Sequence, residues 1–502
     1  MRRPLTALAL GAALLTGPAA PAAANTDPSW TDRAIGFAAD ATGGAAGRTV
    51  RATTLAELRA WAIAPEPLTI EIAGRIQVDP FGDMITVGHD KTIVGAGTKA
   101  RNEPASGSMP SAGGGELVGG GLFLNGSRNV IIRDLTIRDS YIPGDFDGKS
   151  PDNDNDGIRL DTAELVWIDH VRIERVGDGG IDIRKDSDRV TLSWNVISDV
   201  NKALGVGWTS NVVTRLTAHH NWIRNTVQRN WSLDNTAAAH LFNNYLSDVT
   251  QYGTMSRNNA RVVVEDSVFE HVNDPLVTHG AAAQLVQRRN LFTATAGRTD
   301  SAGPAFDPAA LYPYSPDPAT KIKDLIRRYA GPRAQSSRTP RTVTVALDGT
   351  GDYGSLLAAL GATRDARGRV EIVMRPGHYR EQVRIWPDQS DVTIRGEGDV
   401  LISYDMPAAA AKFYGGLQGP AGAATLALLG DGTVLQNVSI EATGAPAVRA
   451  AGDRALLIGT HLTGDYEAVT GRGHLRAGTI TGRLDGPGTT VVEATTITPQ
   501  AP

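Results

Sequence analysis

The chain has 502 residues, of which 21% are charged and 41% hydrophobic, so it is globular and too long for one ordinary domain. A net charge of −5 without a basic block argues against nucleic acid as a partner. The absence of cysteine excludes disulfides and thiolate metal sites, and the 56 glycines indicate many tight turns.

The first segment, residues 1–24, is typical of an export signal. Arg2 and Arg3 supply positive charge, residues 5–15 form a short apolar stretch, and the three alanines that end at Ala24 offer small residues for cleavage. The apolar stretch is too short to span a bilayer. We therefore expect a signal peptide and a mature protein that is secreted, extracellular and not bound to a membrane.

The middle of the chain repeats a unit made of a short β-branched strand, a polar corner and a second short strand. After the first gap, the apolar residues that close these units recur every 23 to 26 residues: Ile137, Ile173, Ile197, Ile223, Leu246, Phe269 and Phe292. Such a period predicts a solenoid, because strands this short must stack on neighbours to bury their faces. A propeller would need roughly 40 residues per blade, so the period favours an all-β fold of the parallel β-helix type.

One position in each repeat unit is polar, and the residues at this position recur with the same spacing. The sixth place holds a column of small polar side chains: Asn195, Asn221, Asn244, Ser267 and Asn290. Amides at equivalent corners of a coil can hydrogen-bond from one turn to the next. We predict a stacked column with a structural role.

Two pairs of carboxylates fall on neighbouring parts of the predicted coil. Asp154 and Asp156 lie in DNDNDG, and Asp178 and Asp182 lie in DGGID. Stacking would bring the second pair beside Asp156, and clustered carboxylate oxygens are ligands that Ca²⁺ prefers. A helix–loop–helix calcium motif is excluded, because its twelfth place is Ala163 and the flanks have strand patterns. A solvated acidic loop without a metal is the alternative.

Two cationic residues follow on later units, Lys202 in DVNKALG and Arg229 in HHNWIRNTVQRN. A bound cation beside a lysine and an arginine would attract a polyanion, and an acidic sugar polymer fits such a site better than a nucleotide. The alternatives are a surface lysine and an arginine held in a salt bridge. Paired aspartates could also serve a glycoside hydrolase as acid and base, but the two neighbouring cations favour elimination.

Residues 331–341 contain Pro, Ser and Arg without apolar periodicity and predict a linker. A second repetitive segment begins at Thr342, and within it Ile440 and Leu462 are 22 residues apart. This spacing predicts a second, shorter β-helix. The expected domains are therefore residues 25–330 and residues 342–502.

A series of motifs runs in order through the first of these domains: KTIVGAG, RNVIIRDLTIRD, DGIRL, VWIDH, DRVTLSWN, HHN and HLFNNYL. With these motifs, residues from about Ala34 to Asp274 resemble the pectate lyases of polysaccharide lyase family 1. The resemblance implies a right-handed parallel β-helix that cleaves α-1,4-linked galacturonan by β-elimination. It also implies Ca²⁺ as the cofactor and polygalacturonate or pectin as the partner.

The resemblance also implies roles by position. It implies calcium ligands at four positions: Asp154, Asp156, Asp178 and Asp182. It implies that Lys202 binds a substrate carboxylate and that Arg229 is the Brønsted base. From residue chemistry alone Arg229 would be an electrostatic stabiliser, because guanidinium groups hold their protons tightly. The family often has a proline and a second arginine shortly after this base, where the chain has Trp231 and Asp234. One expected contact to a substrate carboxylate is therefore missing.

The second domain resembles the front half of a pectin methylesterase through TVTVALDGTGDYGSLLAAL, IVMRPGHYREQVRI and VTIRGEGD. The family's GYQDTL is GDYEAV at residues 464–469, which removes the oxyanion glutamine and changes the acid. A second family glutamine falls on Gly444, and Asp485 matches the nucleophile without its usual surroundings. An esterase needs nucleophile, acid and oxyanion donors together, so we expect a truncated, non-catalytic domain.

The combined prediction is a secreted, monomeric, calcium-dependent pectate lyase with a non-catalytic second domain. One alternative is a lyase that acts on methyl-esterified pectin, against which the four carboxylates argue, since a neutral substrate has little use for a bound cation. The other is a non-catalytic β-helix protein that binds acidic polysaccharide, for which Trp231 and Asp234 are the best support.

Overall fold

The computed structural model describes the following residues: 33–96, 114–142, 153–332, 341–364, 366, 368–412 and 414–499. The predicted export signal lies outside them, as do residues 333–340 of the predicted linker. In the part of the chain that the structure describes, no helix is long and apolar enough to cross a membrane.

The first half of the structure is a parallel β-helix, as the repeat period predicts. Its first face is a ten-stranded parallel sheet, here in spatial order: β1 (Arg48–Ala52), β2 (Leu68–Ile72), β5 (Lys91–Gly95), β8 (Arg128–Arg133), β11 (Glu164–Asp169), β14 (Asp188–Ser193), β16 (Arg215–His219), β18 (Ala238–Phe242), β21 (Arg261–Glu265) and β24 (Gln284–Arg288). Every neighbouring pair in this face runs parallel, which requires the chain to pass round the coil between one strand and the next.

The other two faces merge into one fifteen-stranded sheet, because the long strands β15 (Val196–Gly207) and β17 (Trp222–Asp234) belong to both. The second face also contains β3 (Gly74–Gln77), β6 (Gly115–Val118), β9 (Leu135–Arg138), β12 (Arg172–Glu174), β19 (Tyr245–Val249), β22 (Val268–Val272) and β25 (Leu291–Thr293). The third face also contains β4 (Met84–Thr86), β7 (Gly121–Asn125), β10 (Ile158–Asp161), β13 (Gly179–Arg184), β20 (Thr254–Arg257) and β23 (Leu276–His279).

The apolar residues that close the repeat units stack in register, which confirms that prediction. Ile173 pairs with Ile137 on one side and Ile197 on the other, and the column continues to Phe292. All but the last are buried. Each side chain of this size contributes about 1.5–3 kcal/mol when it is fully buried, so the column is a main source of stability.

The predicted column of polar corner residues is also present. Asn195 Nδ2 donates to Asn221 Oδ1 at 2.9 Å, and Asn221 Nδ2 donates to Asn244 Oδ1 at 3.0 Å. The backbone N–H of Asn244 then donates to Ser267 Oγ at 3.0 Å, and that of Ser267 to Asn290 Oδ1 at 2.9 Å. Each buried amide therefore has a partner one coil away, which explains its recurrence.

Among the described residues, four α-helices accompany the strands: α1 (Leu55–Ala62), α2 (Ala319–Tyr329), α3 (Leu356–Thr363) and α4 (Gly419–Ala423). Short 3₁₀ turns occur at Gly36–Ala38 and Pro308–Ala310. A capping box formed by Thr54 and Glu57 begins α1. Helix α2 buries Ile322 and Ile326 against the first β-helix.

The second half is a shorter parallel-stranded coil with two sheets. The seven-stranded sheet contains β26 (Thr342–Val345), β27 (Val370–Met374), β30 (Val392–Gly396), β33 (Val434–Gln436), β35 (Ala455–Ile458), β37 (Arg472–Arg476) and β40 (Thr489–Glu493). The nine-stranded sheet contains β28 (Gly377–Arg380), β29 (Val383–Ile385), β31 (Val400–Tyr404), β32 (Leu426–Leu428), β34 (Ser439–Ala450), β36 (His461–Ala468), β38 (Thr479–Thr481), β39 (Leu484–Asp485) and β41 (Thr496–Thr498). Ile440 pairs with Leu462, as their spacing predicts.

The two β-helices contact each other through buried polar groups. Arg364, which follows α3, pairs with Asp248 of the first β-helix, and their side chains are only 2% and 3% exposed. Lys412 Nζ lies 2.6 Å from Asp274 Oδ2, which also accepts a hydrogen bond from the Tyr414 hydroxyl at 3.0 Å. Removing one partner of a buried ion pair costs about 3–5 kcal/mol, so these contacts hold the two halves together.

Glu381 makes the stability of the second β-helix dependent on pH. Its buried carboxylate accepts hydrogen bonds from the backbone N–H groups of Leu356 and Leu357, at 2.9 and 2.8 Å. Burial raises the pKa of Glu381 from 4.5 to about 7, although the two hydrogen bonds oppose the rise. Because the folded-state pKa is the higher one, the stability that Glu381 contributes is full below pH 4.5 and is lost as the pH rises through about 7.

We therefore expect the free energy of unfolding of the native protein to fall, relative to that of Glu381→Gln, by about 1–3 kcal/mol as the pH rises from about 5 to about 8. Urea denaturation of both proteins across this range measures the difference. A difference that stays constant with pH would show that Glu381 keeps its ordinary titration in the folded state.

Candidate active site

The predicted site residues lie on the third face of the first β-helix and in the loops that lead into it. Asp154 and Asp156 precede β10, and Asp178 immediately precedes β13. Three more residues lie within strands: Asp182 in β13, Lys202 in β15 and Arg229 in β17. These strands are parallel neighbours, so side chains from successive coils line up across the face.

Three of the four predicted carboxylates come together. Oxygens of Asp154, Asp156 and Asp178 all lie within 4.8 Å of one another. Asp156 is fully buried, and its Oδ1 accepts a hydrogen bond from the backbone N–H of Gly179 at 2.8 Å. Asp154 is exposed and Asp178 is partly exposed. The predicted stacking of the DNDNDG and DGGID segments therefore occurs.

The fourth carboxylate, Asp182, lies beside this group without joining it. An added Cβ at Gly179 would sit 2.5 Å from Asp182 Oδ1 and 3.0 Å from Asp156 Oδ1, so both carboxylates border this glycine and leave no room for a side chain. Asp182 is 1% exposed, and its Oδ1 has no hydrogen-bond partner. A buried carboxylate oxygen without a partner is costly, which suits an atom that awaits a ligand.

The carboxylates repel one another in this buried setting. Burial raises the pKa of Asp156 to about 6, and Asp178 adds to the rise while Arg159 opposes it. Burial also raises the pKa of Asp182, with a further rise from Asp156 and an opposing effect of Arg229. A divalent cation among these oxygens would relieve the repulsion and favour the charged forms.

Arg159 is a site residue that the sequence patterns did not identify. Its Nε lies 2.5 Å from Asp156 Oδ2, and its Nη2 lies 3.0 Å from Asp154 Oδ2. It occupies β10 directly opposite Asp182 of β13. The one sequence signal for it is a lone charge in the strand motif GIRL directly after Asp156. The guanidinium group of Arg159 therefore neutralises part of the negative charge of the grouped carboxylates.

Lys202 and Arg229 reach the same part of the face from the next two coils. Lys202 Nζ donates to Asp178 Oδ1, and both side chains are mostly buried. Arg229 opposes the rise in the pKa of Asp182, which places its charge near that carboxylate. Its Nη1 is buried and has no hydrogen-bond partner. Arg229 Cζ lies 5.4 Å from the centre of the Trp208 ring.

A β-bulge in β17 follows Arg229. Leu204 of β15 pairs with Asn230, but Gly205 pairs with Ser232, so Trp231 is one extra residue in β17. Trp231 has φ of 89° and is 1% exposed, and it packs in the main core. Bulges often turn a neighbouring side chain towards an active site. The tryptophan at the position of the family's proline therefore lies inside the coil. At the position of the family's second arginine, Asp234 accepts a hydrogen bond from Asn258 Nδ2 at 2.7 Å.

Comparison with known proteins finds a matching family model for each half of the chain. Residues 1–335 match the family model described as pectate lyase, and residues 342–502 match the one described as pectinesterase. The first match covers more than half of the chain and includes every predicted site residue.

Curated relatives and a solved structure agree with the first match. The pectate trisaccharide-lyase of Bacillus licheniformis is 29% identical over 324 residues, which cover 59% of this chain and 85% of that protein. The pectate trisaccharide-lyase of Thermotoga maritima is 31% identical over 234 residues, 44% of this chain and 58% of that protein. The pectate lyase structure from Paenibacillus sp. 0602 is 18% identical with a TM-score of 0.50, and the match covers 60% of this chain and 96% of that one. This last likeness concerns the fold alone.

Proposed function

Because the chain belongs to the pectate lyase family of polysaccharide lyases, we propose that it is a secreted, calcium-dependent enzyme that cleaves polygalacturonate by β-elimination. The observation that carries the proposal is the gathering of Asp154, Asp156 and Asp178 beside Lys202 and near Arg229. Clustered carboxylates suit a hard cation, and the two basic residues next to them suit a polyanionic substrate. The leader-like residues 1–24 support secretion.

The donor set suits calcium, which takes six to eight oxygen ligands in flexible geometry. Asp154, Asp156 and Asp178 would hold the ion, and Asp182 Oδ1 is a further buried oxygen without a hydrogen-bond partner. When bound, calcium would neutralise the uronate carboxylate and acidify the proton on the neighbouring C5 carbon.

Lys202 would bind the carboxylate of the sugar residue that is cleaved. In the present structure its ammonium group donates to Asp178, so it must leave this partner to reach the substrate. Its positive charge would then lie against the carboxylate whose negative charge grows as the enolate forms. Lysine suits this move from Asp178 to the substrate carboxylate, because its ammonium group is a compact charge on a flexible stem.

In its neutral guanidine form, Arg229 would accept the C5 proton and become a guanidinium ion. Its Nη1 makes no hydrogen bond, so this nitrogen is free to exchange a proton with the substrate. As the C5–H bond breaks, its electron pair forms the C4–C5 double bond and the C4–O4 bond breaks. The departing sugar oxygen takes a proton from water. The unsaturated product absorbs ultraviolet light, and its appearance from polygalacturonate tests the proposal.

The same assay separates this function from a lyase on methyl-esterified pectin. The carboxylate cluster and Lys202 are expected to favour the free acid, so the initial rate on polygalacturonate should exceed that on highly esterified pectin. A faster rate on the ester would favour the alternative reaction. No ultraviolet product from either polymer would favour a non-catalytic binding protein.

Arg159 is expected to weaken calcium binding, because its guanidinium group already pairs with Asp154 and Asp156. In Arg159→Ala the dissociation constant for Ca²⁺ should fall by about tenfold, which corresponds to about 1.4 kcal/mol. Isothermal titration with Ca²⁺ alone measures the change. Arg128→Gln, which removes an exposed partner of Glu164 on the first face, should leave the constant unchanged. Weaker binding in Arg159→Ala would instead make Arg159 a support for the ligands.

We propose that the pectinesterase-like domain has no esterase activity. Glu467 and Asp485 are neighbours on β36 and β39, but Glu467 is held by Arg449 at 2.9 Å and Asp485 is exposed. The two positions of the family's glutamines hold Gly444 and Tyr466, which carry no side-chain amide. The full chain should therefore release no methanol from methyl-esterified pectin, with or without Asp485→Ala. Methanol release that is lost in Asp485→Ala would contradict this.

A further inference from the structure

The indole of Trp208 lies open to solvent on the face that carries the candidate site. Trp208 follows the end of β15 and is 43% exposed, whereas Trp167, Trp194, Trp222, Trp231 and Trp386 are each 7% exposed or less. Single exposed apolar side chains are common on protein surfaces, so the exposure of this indole is informative because it lies beside the candidate site.

Two arginines border this indole. The guanidinium carbons of Arg184 and Arg229 each lie 5.4 Å from the ring centre, a distance at which a cation is attracted to the ring. An added Cβ at Gly205 would lie 2.4 Å from the Trp208 ring and 2.9 Å from Asp182 Oδ1. The indole therefore covers the backbone of β15 between the carboxylates and Arg229.

We propose that Trp208 stacks against a sugar ring of the bound polymer and positions the guanidinium group of Arg229. The inference rests on the proposed lyase function and deepens it by naming a subsite. An aromatic plane takes the apolar C–H face of a pyranose, and the guanidinium group of Arg184 beside the ring can pair with a carboxylate at the edge of that sugar. An acidic sugar offers both features in one residue, so this place suits a uronate next to the one that is cleaved.

The alternative is that Trp208 only fills space above Gly205. Its exposure argues against this, because a packing residue is stabilising through the area that it removes from water. The two roles also differ in their consequences. A packing residue affects stability alone, whereas a stacking and positioning residue affects substrate affinity and the rate of turnover.

Kinetics of Trp208→Ala and Trp208→Phe on polygalacturonate separate these roles. In Trp208→Ala we expect KM to rise and kcat to fall, each by about tenfold, because the sugar loses its stacking plane and Arg229 loses its neighbour. Trp208→Phe should restore most of both values, since a phenyl ring keeps a stacking plane. Leu311→Ala, which removes an exposed apolar side chain next to Tyr312 and the first face, is the matched control and should match the native protein.

Fluorescence gives a readout that does not depend on turnover. In the slow Arg229→Lys background, trigalacturonate should protect tryptophan from quenching by acrylamide, and the protected fraction should disappear when Trp208→Phe is added. Unchanged KM and kcat in Trp208→Ala, or the same protection with and without Trp208, would overturn the proposal. Absence of lyase activity in the native protein would defeat the proposed function, and with it the positioning role, while protection would still establish the stacking role.

Discussion

Replacing Arg229 by lysine is expected to lower kcat on polygalacturonate by roughly 10²-fold or more, the loss typical of a group that transfers a proton. Lysine keeps a positive charge but has neither the planar fork nor the reach of arginine. It would also lose the contact of the guanidinium group with Trp208. Binding of galacturonate oligomers should weaken much less, because the carboxylate cluster and Lys202 remain in place.

Initial rates from the ultraviolet assay and oligomer titration by calorimetry measure the two effects separately. Arg261→Lys is the matched control, since Arg261 lies on the first face and donates to the carbonyl oxygen of Ala305. Near-normal turnover of Arg229→Lys would exclude Arg229 as the base.

Asp156→Asn is expected to have the other large effect. Asp156 is the buried centre of the carboxylate group, and asparagine keeps its size and can still accept a hydrogen bond from Gly179. Losing a metal ligand should reduce calcium affinity more than losing a residue that only hydrogen-bonds to a ligand, so we expect calcium affinity to fall by more than about 100-fold. Lyase activity should then be lost at calcium concentrations that saturate the native protein.

Calorimetric titration of Ca²⁺ and a calcium series in the ultraviolet assay test this. Asp188→Asn is a suitable control, because Asp188 pairs with Arg215 on the first face. Asp182→Asn should weaken calcium binding less than Asp156→Asn, since Asp182 lies beside the three grouped carboxylates. Native affinity in Asp156→Asn would remove this residue from the ligand set.

Much of the coil could be predicted because the repeat period determines the register. With a spacing of 23 to 26 residues, Ile197 lies above Ile223 and Asn195 above Asn221, and the structure has both pairs. The same spacing brings Asp156 and Asp178 together. It also places Lys202 opposite Gln228, the residue before Arg229. In stacked parallel strands, residues that are one repeat apart in the sequence are neighbours in space.

The features that the sequence did not predict depend on single residues or on distant contacts. A bulge such as that at Trp231 inserts one residue without a local pattern, and the exposure of Trp208 depends on what the surrounding loops leave uncovered. Arg159 contacts two carboxylates from a single position on a strand, and the repeat period does not indicate such a contact. The ion pair of Arg364 with Asp248 joins residues 116 positions apart and lies in no repeat.

A calcium-dependent β-elimination on polygalacturonate can be followed in a single assay. The native protein is mixed with polygalacturonate, and the ultraviolet absorbance of unsaturated product is followed with added Ca²⁺, with chelator, and with chelator followed by excess Ca²⁺. We expect product with calcium, none with chelator, and recovery of product formation when calcium is restored. Full activity in chelator would contradict the assignment of Asp154, Asp156 and Asp178 as metal ligands, and no product under any condition would contradict the lyase itself.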